Sequence, residues 1–237
     1  MDLEEKAVEK KTYFSNFLCF LTFIVVLFLT TSCSNLQKNP NNLFPDKFLS
    51  KIYSINISPT NITTISEGSG FFIKYKNRYF FITAAHVIYA STGIRIEIDR
   101  GFCLEPEIPA IIIPNYNDVA ILPLKKRPSR CKILELEQET PKKGEKICAY
   151  GFTSDNKTTT TIKGSYLHKD SMFYFGKMVQ TYALDIRLKK GMSGGPTLNE
   201  QGKVIGVNSM IAQLDPIKRS YIVPSSYIYK YLKSICN

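Results

Sequence analysis

The alternation of apolar and polar positions changes character three times along the chain. Residues Phe17 to Leu29 form an unbroken apolar run, FLCFLTFIVVLFL, with Lys10 and Lys11 ahead of it and Thr30-Thr31-Ser32-Cys33 behind. Residues 34–59 are rich in Asn, Pro and Ser, the composition of a tether. From about residue 60 onward, short β-branched and aromatic segments recur between Gly, Pro, Asn and Asp. GFFIKYKNRYFFITAAHVI predicts strands Phe71–Tyr75 and Tyr79–Thr83 around a turn at Lys76-Asn77-Arg78. IRIEID, AIIIP, DVAILPL, KICAYGF, TTTIKGSYLH, YALDIRL, KVIGVNSMI and SYIVP follow as further strands. A helical period is seen only at the end, in SSYIYKYLKSI. Many short strands at this spacing predict an all-β domain, a sandwich or a pair of barrels, closed by one helix. Internal repeats are absent.

The N-terminal run has the parts of an export signal: a charged start, an apolar stretch and a small-residue exit. Its length is short for a membrane-spanning helix. Cys33 after small residues resembles a bacterial lipoprotein cleavage site, at which the cysteine is lipidated and becomes the new N-terminus. The match departs at Thr30, where an aliphatic residue is usual, and an uncleaved N-terminal anchor is the alternative. Asn56, Asn61 and Asn156 each open an N-x-S/T triplet, which matters only in a host that glycosylates proteins.

Composition narrows the partners. The 237 residues carry a formal net charge of +11 and 44% hydrophobic residues, enough for a real core and a surface that favours anionic partners. No aromatic-basic module accompanies the charge, so nucleic acid is not an expected partner. Two histidines and scattered cysteines give no metal-ligand spacing, and neither a metal nor another cofactor is expected. Setting Cys19 and Cys33 aside leaves Cys103, Cys131, Cys148 and Cys236. A Cys103–Cys131 disulfide would close a loop containing Asp118, and buried free thiols are an equal reading.

The chemistry gathers around GMSGGPTL, Gly191 to Leu198. A serine between glycines before a proline is either a bland turn or a reactive hydroxyl held in a tight one. A nucleophilic serine needs a base, and the base needs an orienting partner. His168 lies in the polar stretch SYLHKDSM and reads as solvated. His86 lies near the end of FFITAAHVI, where a strand leads into a helical turn. Asp118 heads the apolar strand of NDVAILPL and can either cap a turn or accept an imidazole N–H.

GSGFFIKYKNRYFFITAAHVI, NDVAIL and GMSGGPTLNEQGKVIGVNS, in the order His, Asp, Ser, resemble the three signature blocks of the chymotrypsin-like serine peptidases, in particular the bacterial HtrA-like branch. KKGEKICAYGF and YIVPSSYI resemble further strands of that branch, so the likeness runs from about Glu67 to Tyr229. The resemblance implies two six-stranded antiparallel barrels and a C-terminal helix. The first barrel is expected over about 60–130, the second over about 140–225 and the helix over 225–236, with 1–33 as export segment and 34–59 as tether. It implies Ser193 as nucleophile, His86 as base, Asp118 as its orienting carboxylate, and the N–H groups of Gly191 and Ser193 as the oxyanion hole. The substrate backbone would pair with the strand around Asn208, Ser209 and Met210, and Arg187 and Leu188 would shape the pocket for the side chain preceding the cut. The expected partners are a protein or peptide substrate and a membrane reached through the N-terminal lipid or anchor.

The chain departs from the family at two places. Met192 stands where trypsin-like zymogens carry an aspartate that pairs with a newly cut N-terminus, so activation by N-terminal insertion is not expected. The chain ends at Asn237, one helix past Pro224, and no PDZ domain is expected to regulate it. Arg187 occupies the position of the aspartate that makes trypsin select Lys and Arg, so cleavage after basic residues is expected to be poor. An inward Arg187 would favour acidic side chains. An outward one would leave Leu188 to favour aliphatic side chains, the preferred reading because an unpaired arginine is costly to bury and strand neighbours face opposite ways. The competing class is a catalytically silent surface lipoprotein that uses the same fold to bind.

Overall fold

The computed structural model describes residues 48–57, 63–98, 102–104, 106, 111–112, 117–129, 131–153, 159–174, 177–211 and 219–236. The apolar run, Cys19, Cys33, Asn61 and Asn156 lie outside them, as do the side chains of Asn56, Cys103 and Met210.

Two sheets carry almost all of the regular structure. The first comprises β1 (Leu49–Ile57), β2 (Thr63–Tyr75), β3 (Arg78–Thr83), β4 (Gly93–Ile98), β5 (Phe102–Leu104), β6 (Ile111–Ile112), β7 (Ala120–Leu124) and β8 (Ile133–Leu134). Its order is β5-β4-β1-β2-β3-β7-β6, with β8 joining β2 in parallel through Phe72↔Ile133. The second comprises β9 (Lys146–Phe152), β10 (Thr159–Tyr174), β11 (Lys177–Leu184), β12 (Pro196–Asn199), β13 (Val204–Ile211) and β14 (Ser220–Pro224). These six strands close into a barrel, β10-β11-β14-β13-β12-β9. Closure pairs both edges of every strand, so this barrel exposes no open edge. Among the described residues two helices complete the fold, α1 (Ala85–Ile88) and α2 (Ser225–Ile235).

Alternation explains the cores. Phe72, Phe81, Ile52, Ile96 and Leu122 point inward from the first sheet, and Val87 and Ile88 of α1 pack on them. Ile147, Tyr166, Tyr182, Leu184 and Ile222 fill the second barrel. Each large apolar side chain buried this way contributes about 1.5–3 kcal/mol. α2 buries Ile228 and Leu232, four apart on one face, and sets Tyr229 edge-on to Tyr75 at 5.7 Å. Lys76 Nζ donates to the Cys236 carbonyl at 2.6 Å, satisfying the helix C-terminus from the β2–β3 turn.

The domain begins earlier than the sequence indicates. β1 runs through Leu49–Ile57, inside the stretch read as tether, and is flanked by β2 on one side and β4 on the other. It was illegible because its buried face carries Ser50 and Ser54 around Ile52 rather than an apolar alternation. Ser54 is buried and donates to the Val87 carbonyl at 2.6 Å, doing with a hydrogen bond what an apolar residue does elsewhere. Phe48, just before it, is 1% exposed and meets the Tyr150 ring of β9 edge-on at 5.0 Å.

Candidate active site

Strand β3 ends at Thr83, and the chain turns at Ala84 into the single helical turn α1, which raises His86 at the edge of the first sheet. Asp118 lies just before β7, the strand paired with β3, so sheet register brings the two together. The Asp118 side chain is fully buried and that of His86 is 33% exposed. Asp118 Oδ1 accepts the His86 backbone N–H at 2.8 Å, and Oδ2 accepts from His86 Nδ1 at 2.6 Å. Ser209 Oγ, from β13 of the other barrel, also donates to Oδ2. A buried carboxylate with these partners is satisfied as an anion and holds the imidazole with Nδ1–H toward it. Nε2 is then the acceptor nitrogen, facing away from the aspartate.

The serine loop enters from the second barrel. Met192 is wholly buried in that barrel's core, its N–H on the Lys189 carbonyl at 3.1 Å and its carbonyl accepting from Gly195 N–H at 3.1 Å. An apolar side chain thus anchors the residue just before Ser193. Gly191 and Gly194 have φ of 93° and 88°, a region that side chains resist. A Cβ on Gly194 would lie 2.2 Å from the Ser69 carbonyl oxygen and 2.8 Å from Ala84 N, so the loop presses on the turn leading to His86. Gly68 of β2 sits between the partners: a Cβ there would lie 2.7 Å from Val87 Cγ1 and 3.1 Å from the Ser193 carbonyl. Among the described residues, neither the Gly191 nor the Ser193 N–H has a protein acceptor, and no hydrogen bond joins Ser193 to His86. Catalytic hydrogen bonds are commonly long before substrate binds.

The remaining candidates separate. Asn208 is not available to a substrate. Its N–H donates to Gly195 O at 2.8 Å, and its carbonyl accepts from Gly194 N–H at 2.7 Å. Its amide donates to Tyr150 O at 2.8 Å and accepts from Thr197 Oγ1 at 2.6 Å. It is a buried strut behind the serine loop. Ser209 falls at an irregularity between Asn208 and Met210 in the β13–β14 ladder, and its side chain is spent on Asp118. Arg187 is exposed, whereas Leu188 is 4% exposed in the second barrel's core, its N–H on Ser220 Oγ at 2.8 Å. His168 is exposed on β10. Cys131 is buried, and Cys148 is half-buried beside Tyr150, whose phenol is pushed up mainly by burial and then by that thiol. No group of three or more His, Cys, Asp or Glu among the described residues could hold a metal.

The first half is an open eight-stranded sheet rather than the expected six-stranded barrel, and only the second half closes. Such a sheet and barrel joined at an Asp–His pair and a glycine-flanked serine loop match the architecture of the chymotrypsin-like serine peptidases. Residues 68–207 match the family described as the trypsin-like peptidase domain, and the chain belongs to it. It is 28% identical over 177 residues to serine protease HTRA1 of Xenopus tropicalis, covering 70% of this chain and 35% of that one. It is 31% identical over 149 residues to "Probable periplasmic serine endoprotease DegP-like" of Halomonas elongata, covering 62% of this chain and 30% of that one. The chain therefore spans about a third of the length of these relatives. The fold is similar to the active form of the Rv3671c protease from M. tuberculosis, with a TM-score of 0.67, 22% identity and coverage of 84% of this chain and 86% of that one.

Proposed function

We propose that the chain is a serine endopeptidase in which Ser193 is the nucleophile, His86 the base and Asp118 the carboxylate that fixes the base. The observation that carries this is the fully buried Asp118 holding His86 Nδ1 at 2.6 Å, which leaves Nε2 as the acceptor nitrogen on a turn against which the serine loop packs at Gly194. Ser193 Oγ adds to the scissile carbonyl carbon while its proton passes to His86 Nε2. The carbonyl oxygen becomes an oxyanion and takes hydrogen bonds from the Gly191 and Ser193 N–H groups, each worth about 2.7–4 kcal/mol in the transition state. Collapse returns the carbonyl, breaks the C–N bond and delivers the His86 proton to the leaving amine. Water, deprotonated by His86, then releases the acyl group from Ser193 by the same path in reverse. Ser193→Ala separates this reading from the silent-binder alternative, by loss of peptide hydrolysis without loss of fold.

The pocket reading follows Leu188. The exposure of Arg187, which keeps its cation out of the core, supports a preference for aliphatic over acidic side chains before the cut. The substrate backbone pairs with the strand around Ser209 and Met210. Export and tethering complete the proposal: the signal-like run and Cys33 support attachment to a membrane surface through an N-terminal lipid. One relative's printed description as periplasmic supports export. Among the described residues no helix is long and apolar enough to cross a membrane. Mass spectrometry of the mature N-terminus tests the tether. A lipid-modified Cys33 is expected, and an intact Met1 start would point to an uncleaved anchor instead.

A further inference from the structure

We infer that Ser69, on β2 of the first sheet, is a positioning residue that aims both oxyanion donors of the second barrel. The inference rests on the peptidase reading above and adds a residue to its machinery. Ser69 is 0% exposed. Its backbone N–H donates to the Ser193 carbonyl at 2.8 Å, and its hydroxyl donates to the Gly191 carbonyl at 2.8 Å. One residue therefore grips the carbonyls of the two residues whose N–H groups serve the oxyanion.

The hydroxyl has no freedom to do otherwise. Phe152 N–H, at the end of β9, donates to Ser69 Oγ at 2.8 Å. A backbone N–H can only donate, so Oγ accepts there, and its single proton is left for Gly191 O. Ser69's own carbonyl is held by Thr83 Oγ1 at 2.8 Å, two residues before the histidine turn. The same side chain thus ties β2, β9 and the serine loop together across the junction of the barrels.

The loop needs the grip at Gly191. With φ at 93° and no side chain, that residue has little steric preference to keep its peptide planes in one orientation. Met192 N–H on Lys189 O fixes one end of the Gly191–Met192 peptide, and Ser69 Oγ fixes the other. Rotation of this segment would swing the flanking N–H groups away from a common point. A donor turned off target loses most of its worth, because stabilisation of the oxyanion depends on placement in advance.

The test compares wild type with Ser69→Ala, using a chromogenic peptide substrate and the matching peptide aldehyde, whose hemiacetal with Ser193 needs the oxyanion hole. The expected result is a kcat lower by about ten- to a hundredfold, the range of a weakened oxyanion donor, with KM within about twofold. Aldehyde affinity is expected to fall in the same proportion as kcat/KM. Ser69→Cys, which keeps the volume with a poor donor, is expected to shift both in the same direction by less, and serves the comparison should the alanine variant not fold. A folded variant with kcat and aldehyde affinity within about twofold of wild type overturns the inference while leaving the peptidase reading intact. So does a loss confined to KM or melting temperature. A wild type that neither cleaves nor binds the aldehyde removes both.

Discussion

Ser209 Oγ, on the closed barrel, donates to the carboxylate of Asp118, on the open sheet. The hydrogen bond crosses the junction between the two halves of the domain and lands on the same oxygen, Oδ2, that accepts from His86 Nδ1. The orientation of the His86 ring is therefore tied to the barrel that carries Ser193.

Ser209→Ala is expected to reduce kcat/KM by roughly tenfold, since a hydrogen bond to a charged group contributes about 1.5–3 kcal/mol and His86 still holds Asp118 at two points. Substrate-binding roles predict a rise in KM instead. Steady-state kinetics with a peptide substrate distinguish the two, and an unchanged kcat would disprove the clamp.

Asp118→Asn is expected to cost far more, on the order of 10⁴ in kcat, because the amide favours the imidazole tautomer with its proton on Nε2, where no base remains. The fold should persist, as the amide oxygen can still accept the His86 backbone N–H. Circular dichroism and kinetics on one preparation check both halves of the statement.

The domain is expected to require β1. A fragment starting at Asp46 should fold, whereas one starting at Thr60 should not, because β1 lies between β2 and β4. Phe48→Ala in the full chain should lower stability by about 3–5 kcal/mol, the usual cost of emptying a buried phenylalanine site. Thermal melts of these proteins decide it.

Cleavage is expected after aliphatic side chains and not after Lys or Arg. The exposed Arg187, Lys189 and Lys190 give this segment a positive surface, which under the pocket reading proposed above disfavours a basic substrate side chain. A peptide-library digest reads this directly, and dominant cuts after Lys or Arg contradict it.

The legibility of these features followed the range of the interactions behind them. FFITAAHVI, DVAIL and GMSGGP each declare a local conformation, so the strands, the histidine turn and the glycine-rich loop were readable from neighbouring residues. β1 was not, because Ser54 is buried by a bond to a carbonyl 33 residues away rather than by an apolar pattern. Asn208 looked like a substrate-facing residue on a strand. Its role as a strut depends on Tyr150, 58 positions earlier in the chain. Ser69 sat in plain view in GSGFF, and a small polar residue between glycines just ahead of the expected strand Phe71–Tyr75 was the available signal. Its partners, 122 and 83 residues away, were not.

The central claim is that Ser193 is activated by His86 and Asp118, and active-site labelling tests it most directly. A fluorophosphonate probe reacts with a serine only when a base has made it nucleophilic. The wild-type protein is expected to label at Ser193, as read by peptide mass spectrometry, in parallel with loss of peptide hydrolysis. Ser193→Ala and His86→Ala are expected to show neither labelling nor hydrolysis while keeping the melting temperature of the fold. Full labelling or activity in folded His86→Ala, or no labelling in folded wild type, contradicts the account.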